Sequence, residues 1–331
     1  MRNYKLILLG IIFIPVLYSC KKELKVNADW KDVTVVYGLL DQIDTIHYIK
    51  ITKAFLGSGD AMEFAKIPDS SNYPDKLDVQ VEEWNGSTLL NTWTCDTVTI
   101  HNKEAGDSIF YFPDQLVYYF RGDLSSENQY KLNITNKQTG KIVSSQTMMI
   151  YPFTIEKPNS FLPVNYVPGL KVELKWYSAK NGKRYQIALR FHYLESLKSD
   201  TSQKSFNAID WVIFSNIQSL NNQGGELLDY YFPADGFYSF LGSHIPVNPD
   251  VNRAARSVDY IFSVASDDLN TYMEVTEPSY GIIQERPAFS NITNGIGLFS
   301  SRTVVLIDSL RLRQETLDQL RVNQYTKDLG F

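Results

Sequence analysis

The chain has 331 residues, with 32 Lys and Arg against 37 Asp and Glu, 44% hydrophobic residues and 13% aromatics. That length suits about two domains, and a charged fraction of only 21% beside so many aromatics excludes a mainly disordered chain. A net charge of −5 argues against a nucleic-acid partner, and two cysteines are too few for a disulfide scaffold or a Cys-based zinc cluster.

Residues 1–19 read as an export signal. Arg2 and Lys5 open the chain, and Leu6 to Leu17 is apolar apart from Gly10 and Pro15. A bilayer-spanning helix needs roughly 20 apolar residues, so this run is too short to span but suits a signal peptide. It ends in Leu17-Tyr18-Ser19-Cys20, which resembles a bacterial lipobox. The resemblance implies transfer of diacylglycerol to the Cys20 thiol, cleavage before it and acylation of the new amino group. Acyl chains at ~0.8 kcal/mol per buried methylene would make that anchor effectively permanent. Cleavage removes two of the 32 basic residues and no acidic one, leaving a net charge of −7. Residues 20–30 form a tether. Within it, Lys21-Lys22-Glu23-Leu24-Lys25 partly resembles the Lys-plus-acidic signal that sends Bacteroidota lipoproteins to the outer face of the outer membrane.

Short alternating runs follow. Val33 to Leu40, Ile46 to Phe55, Leu77 to Glu82, Tyr130 to Thr135 and Lys141 to Ile150 carry apolar residues at period two, broken by Gly and Asn. That pattern predicts antiparallel strands, with a hairpin at Gly140. Residues 57–75 predict a long loop with one helical turn near Ala61–Ala65. Pro152, Pro158, Pro163 and Pro168 interrupt the next stretch, which places a domain boundary at 151–158.

Beyond the boundary, Leu170 to Trp176, Tyr185 to Tyr193 and Asp259 to Ala265 alternate again, with Tyr185, Ile187, Leu189, Phe191 and Tyr193 on one face. With Trp176 set to plug the space between two sheets, the pattern resembles an immunoglobulin- or fibronectin-like sandwich. Residues 196–256 are too long for a sandwich loop and need structure of their own, with Asp210 to Ser215 a strand. Leu306, Leu310, Leu317 and Leu320 have helical spacing over Val304 to Val322. The expected architecture is therefore all-β dominated: a β-sandwich over 31–152, a second sandwich-like domain over 153–303 with a long insertion, and a helical C-terminal segment over 304–331.

Chemistry-bearing motifs are sparse. The sequence has no His-Glu-x-x-His pair, no phosphate-binding Gly-x-x-x-x-Gly-Lys loop and no Gly-x-Ser-x-Gly elbow. His47, His101, His192 and His244 are scattered, and Cys95 reads as a small buried hydrophobe. Asp267-Asp268-x-Asn270 and Gly57-x-Gly59-Asp60-x-x-Glu63 lack the spacing of a calcium loop. No metal, cofactor or catalytic residue is expected. The aromatics over 228–240 cluster among Gly, Pro and Asp, which suggests a loop presenting Tyr230, Tyr231, Phe237 and Tyr238 as a contact surface. Asp-Ser/Thr-aliphatic triplets at 44–46, 96–98, 107–109 and 308–310 resemble the O-glycosylation motif of exported Bacteroidota proteins, which makes Thr45, Thr97, Ser108 and Ser309 the acceptors.

Cys20, the run Val35 to Leu40, the run Ile49 to Phe55 and the late Phe289-Ser290-Asn291-Ile292-Thr293-Asn294-Gly295-Ile296-Gly297-Leu298-Phe299 together resemble a family. It comprises Bacteroidota outer-membrane lipoproteins built on a domain of unknown function and often encoded beside TonB-dependent receptors. The late segment is similar to that family's Asn-Ile-x-x-Gly-x-Gly-x-Phe ending, with Gly295 and Gly297 read as tight turns beside a packed Phe299. The resemblance implies a lipid-anchored, non-catalytic binding or accessory protein of the outer membrane, working with a TonB-dependent transporter. The alternatives are a surface adhesin or structural spacer, and a hydrolase with no visible constellation.

Overall fold

The computed structural model describes residues 33–54, 72–101, 114–277 and 288–331. Among the described residues 53% lie in strands and 12% in helices, in open sheets stacked as β-sandwich layers. The N-terminal half carries β1 (Val33–Leu40), β2 (Ile46–Ala54), β3 (Asp78–Asn85), β4 (Thr88–Thr94), β5 (Asp96–Ile100), β6 (Gln115–Arg121), β7 (Gln129–Thr135) and β8 (Ile142–Met148). The C-terminal half carries β9 (Ile155–Lys157), β10 (Lys171–Tyr177), β11 (Arg184–Leu197), β12 (Ser205–Gln218) and β13 (Leu227–Pro233), then helix α1 (Ala234–His244), β14 (Val251–Ala265), helix α2 (Asp267–Thr276), β15 (Gly295–Arg311) and helix α3 (Gln314–Val322). The signal segment, the tether with Cys20, the 57–71 part of the expected loop (including the Gly57–Glu63 run) and Ser108 lie outside the described residues.

One sheet of eight strands, in the order β12-β11-β14-β15-β1-β2-β6-β5, runs through both halves. Its middle joint is the parallel pairing of β1 with β15, which sets Val36 beside Gly297 and Gly38 beside Phe299. A four-stranded sheet, β4-β3-β7-β8, covers one end of it, and a three-stranded sheet, β13-β10-β9, belongs to the other half. Two cores result. Val36, Ile49, Ile51, Val79, Val81, Tyr130, Leu132 and Ile134 fill the first, alternate residues of each strand having turned inward. Trp176, Tyr185, Phe191, Phe232, Phe237, Tyr260 and Phe262 fill the second, closed by Leu320 from α3. β15 serves both, because Phe299 enters the first core and Leu310 the second.

Trp176 is fully buried, stacked on Tyr230 at 5.7 Å between ring centroids and edge-on to Phe262 at 5.5 Å, the plug position expected of it. The hairpin between β7 and β8 turns at Gly140, with φ of 71° and its N–H donated to the Asn136 carbonyl at 2.8 Å. Three expectations need correction. Val304 to Arg311 is strand, not helix: Val304, Val305 and Leu306 pair with Ser263, Phe262 and Ile261 of β14, and that ladder together with β-branched side chains prevails over the leucine spacing, so the helix begins only at Gln314. Gly295 and Gly297 lie within β15 and are not turns. Residues 234–240 are not a loop but the greater part of α1.

Candidate functional site

The site begins where α2 docks on the outward face of the eight-stranded sheet, over the joint between β15 and β1. Polar contacts clamp the helix at both ends. At its start Ser266 Oγ and Ser300 Oγ share a hydrogen bond of 2.6 Å, and Asn291 Nδ2 donates to Asp268 Oδ2 at 2.8 Å. Asn291 also straps β15 itself, donating to the Phe299 carbonyl and accepting the Phe299 N–H at 3.0 Å. At the far end the Arg184 guanidinium meets the Glu277 carboxylate at 2.6 Å. Between these clamps Leu269, Tyr272 and Met273, spaced i, i+3 and i+4, border the hollows on the two flanks of the helix.

On the β1–β2 side the helix leaves a cleft of about 440 Å³, lined by Tyr37, Gly38, Leu39, Asp44, Ile46, His47, Tyr48, Leu269, Tyr272, Leu298 and Arg302. Pockets that hold small molecules run at roughly 300–1,000 Å³, so this cleft is large enough, whereas the hollow of about 150 Å³ on the opposite flank is not. One wall is a pair of tyrosines. The Tyr37 and Tyr272 rings meet edge to face at 6.1 Å and their hydroxyls lie 3.3 Å apart. The hydrogen bond to Tyr272, then burial, pushes the Tyr37 hydroxyl up to about 12, so that hydroxyl stays neutral at physiological pH. Tyr48 offers a further exposed ring, backed by Tyr119 at 6.4 Å. Arg302 borders both hollows.

Asp41, the residue after β1, lies near enough to Arg302 to feel its charge and is almost completely buried. Burial lifts its carboxyl above the usual range, and the Ile43 N–H at 3.2 Å and the charge of Arg302 only partly offset this. A carboxyl whose folded pKa exceeds its unfolded one costs stability when ionised, and the cost disappears as pH falls through the folded pKa to below the unfolded value. Asp41→Asn, which keeps an oxygen for the Ile43 N–H, is therefore expected to raise the melting temperature at pH 7–8, with the two proteins converging below about pH 4. A difference that stays constant from pH 8 to 4, or a destabilised variant at pH 8, would refute that account.

Of the histidines and candidate site residues singled out in the sequence, His47 borders the cleft and the others lie elsewhere or outside the described residues. Phe237 and Tyr238 are 0% exposed, so they cannot form a contact surface, and that expectation is corrected: α1 turns both rings into the second core. Phe237 stacks on Tyr166 at 4.4 Å, and the Tyr238 hydroxyl donates to the Tyr166 carbonyl. Tyr230 is half-buried against Trp176 and Phe214. Tyr231 alone is open, at 49%, its hydroxyl donating to Asp229 Oδ2 at 3.3 Å on the outward face of β13. Thr45 is exposed in the β1–β2 turn, Thr97 is half-buried on β5, and Ser309 is exposed at an irregularity of β15 with φ of 56°, its N–H held by Asp259. Cys95 is buried between β4 and β5, and burial pushes its thiol up to about 12, which keeps it protonated and a poor nucleophile. His192 bonds Asp259 at 2.7 Å on the outward face of β11. Tyr37, Tyr48, Tyr272 and Arg302 escaped notice because they are spread over 265 positions of sequence, and only outward placement opposite the buried Val36 and Ile49 marked the first two. No protein-family model matches this chain, and neither does any curated protein.

Proposed function

We propose that this chain is a lipid-anchored outer-membrane protein that acts by binding, as an accessory component beside a TonB-dependent transporter, and that the tyrosine-lined cleft beneath α2 is its binding site. The cleft carries the reading: it combines small-molecule size, aromatic walls and a cation at the joint that unites both halves of the protein. The anchor rests on Leu17 to Cys20, with only residues 21–32 between the acylated cysteine and the first strand. Anchoring confines the protein to the same two-dimensional sheet as a transporter, which raises their effective concentration without demanding a tight interface.

Intact mass spectrometry and membrane fractionation test the anchor, and crosslinking followed by affinity purification tests the partner. The mature chain is expected to begin at a diacylglycerol-modified Cys20 in the outer-membrane fraction, while Cys20→Ala moves to the soluble fraction and loses an outer-membrane barrel partner. A wild-type chain with an intact N-terminus and no lipid defeats the anchor. A lipidated chain that crosslinks to no barrel protein defeats the accessory role.

A further inference from the structure

We infer that the cleft takes a small monocarboxylate with an apolar body, its carboxylate paired with Arg302 and its body against Tyr37, Tyr48 and Tyr272. This rests on the reading of the cleft as a binding site given above. Arg184, Arg190 and Arg253 each hold a carboxylate at 2.6–2.8 Å. Among the described residues no carboxylate lies within ion-pair distance of Arg302, although it is near enough to Asp41 to act on that carboxyl through space. Asp41 cannot serve as its open partner, because it is buried and already accepts the Ile43 N–H.

A planar fork of donors bordering a cleft is suited to grip a carboxylate bidentately. The remaining lining decides the rest of the ligand. Leu39, Ile46, Leu269 and Leu298 with the three tyrosines reward apolar surface and offer edge or face contacts to a ring. Asp44 adds a negative charge to the same cleft, which disfavours a second negative charge on the ligand and so selects a monoanion over a phosphate ester.

Isothermal titration of the full mature chain tests this with 3-phenylpropionate, the uncharged 3-phenylpropan-1-ol and phenyl phosphate as probes. The carboxylate is expected to bind about tenfold tighter than the alcohol or more, and tighter than the phosphate. Arg302→Met should erase the preference for acid over alcohol. Arg302→Lys keeps the charge near Asp41 and should retain only part of the preference, so it serves if the methionine variant loses its fold. Tyr48→Ala should weaken acid and alcohol by the same factor. Equal affinity for acid and alcohol overturns the assignment, as does tighter binding of the phosphate, or binding of none of the three. If none binds to a chain that is nevertheless lipidated and crosslinks to its barrel, the ligand class fails while the accessory role stands.

Discussion

Gly297→Ala is expected to destroy the cooperative fold. Gly297 sits in β15 with φ of 115°, a conformation that side-chain-bearing residues rarely adopt, and a Cβ there would stand 2.0 Å from the Val36 carbonyl oxygen and 2.9 Å from its carbon. Both are backbone atoms of the adjoining strand and cannot swing aside. The backbone strain alone costs about 1–3 kcal/mol. Relieving the clash means separating β1 from β15, the parallel joint at the middle of the eight-stranded sheet. The total reaches the exceptional range above about 4 kcal/mol, a large part of a typical domain's stability. Gly140→Ala is the control: its φ is also positive, at 71°, but nothing lies within 4 Å of the added carbon, so only the backbone penalty of about 1 kcal/mol remains. Urea denaturation followed by circular dichroism should show a weakened or absent transition for Gly297→Ala and a small shift for Gly140→Ala. A wild-type midpoint for Gly297→Ala would show that the two strands do not approach as described.

The second large effect separates two neighbouring aromatics that look alike in sequence. Phe237→Ala is expected to cost about 3–5 kcal/mol, the usual price for emptying a fully enclosed phenylalanine. Its ring stacks on Tyr166 at 4.4 Å, meets Tyr238 at 5.4 Å and Phe191 at 5.5 Å, and truncation leaves a void that three aromatic rings cannot collapse to fill. Tyr231→Ala, only six positions earlier in the chain, should stay within about 0.5–1 kcal/mol, since half of that side chain is already in water. Chemical denaturation of the two single variants measures both. Equal losses would mean that α1 does not face the core as described.

Within the aromatic stretch, local preference and tertiary burial oppose each other. Gly236, Pro233 and Asp235 punctuate it, and those residues favour turns by their local conformational preferences. In the folded chain the same residues open a helix: Pro233 takes the N-cap position, Asp235 sits in the first turn and bonds the Gly169 N–H, and the helix then buries Ala234, Phe237, Tyr238 and Leu241. Tertiary burial of that face outweighed the local preferences.

A similar competition decided the C-terminal segment. Leucines at 306, 310, 317 and 320 fit a helical stripe, yet Leu306 remains exposed on a strand and Leu310 enters the core from it, while Leu317 and Leu320 alone belong to α3. Short apolar runs satisfy both periods, and the neighbour available for pairing selects between them. Here β14 supplied a partner edge for Val304 to Ile307.

What the sequence by itself determined is the part written into strict period-two alternation: the strands β1, β2, β3, β7, β8, β10 and β11, the inward faces carrying Val36, Ile49, Leu132 and Phe191, the Gly140 hairpin and the plug at Trp176. Each of these follows from a side chain's choice between water and a dry layer, which neighbouring residues along one strand settle together. Only the tertiary structure decided the parallel joint of β1 with β15 and the docking of α2, and with them the cleft that gathers Tyr37, Tyr48, Tyr272 and Arg302. Those four residues stand outward on separate elements, and an outward tyrosine or arginine carries no local signal of what will lie opposite it. The contact between them exists because two chain segments more than 230 residues apart share a strand ladder, an arrangement set by long-range pairing rather than by local pattern.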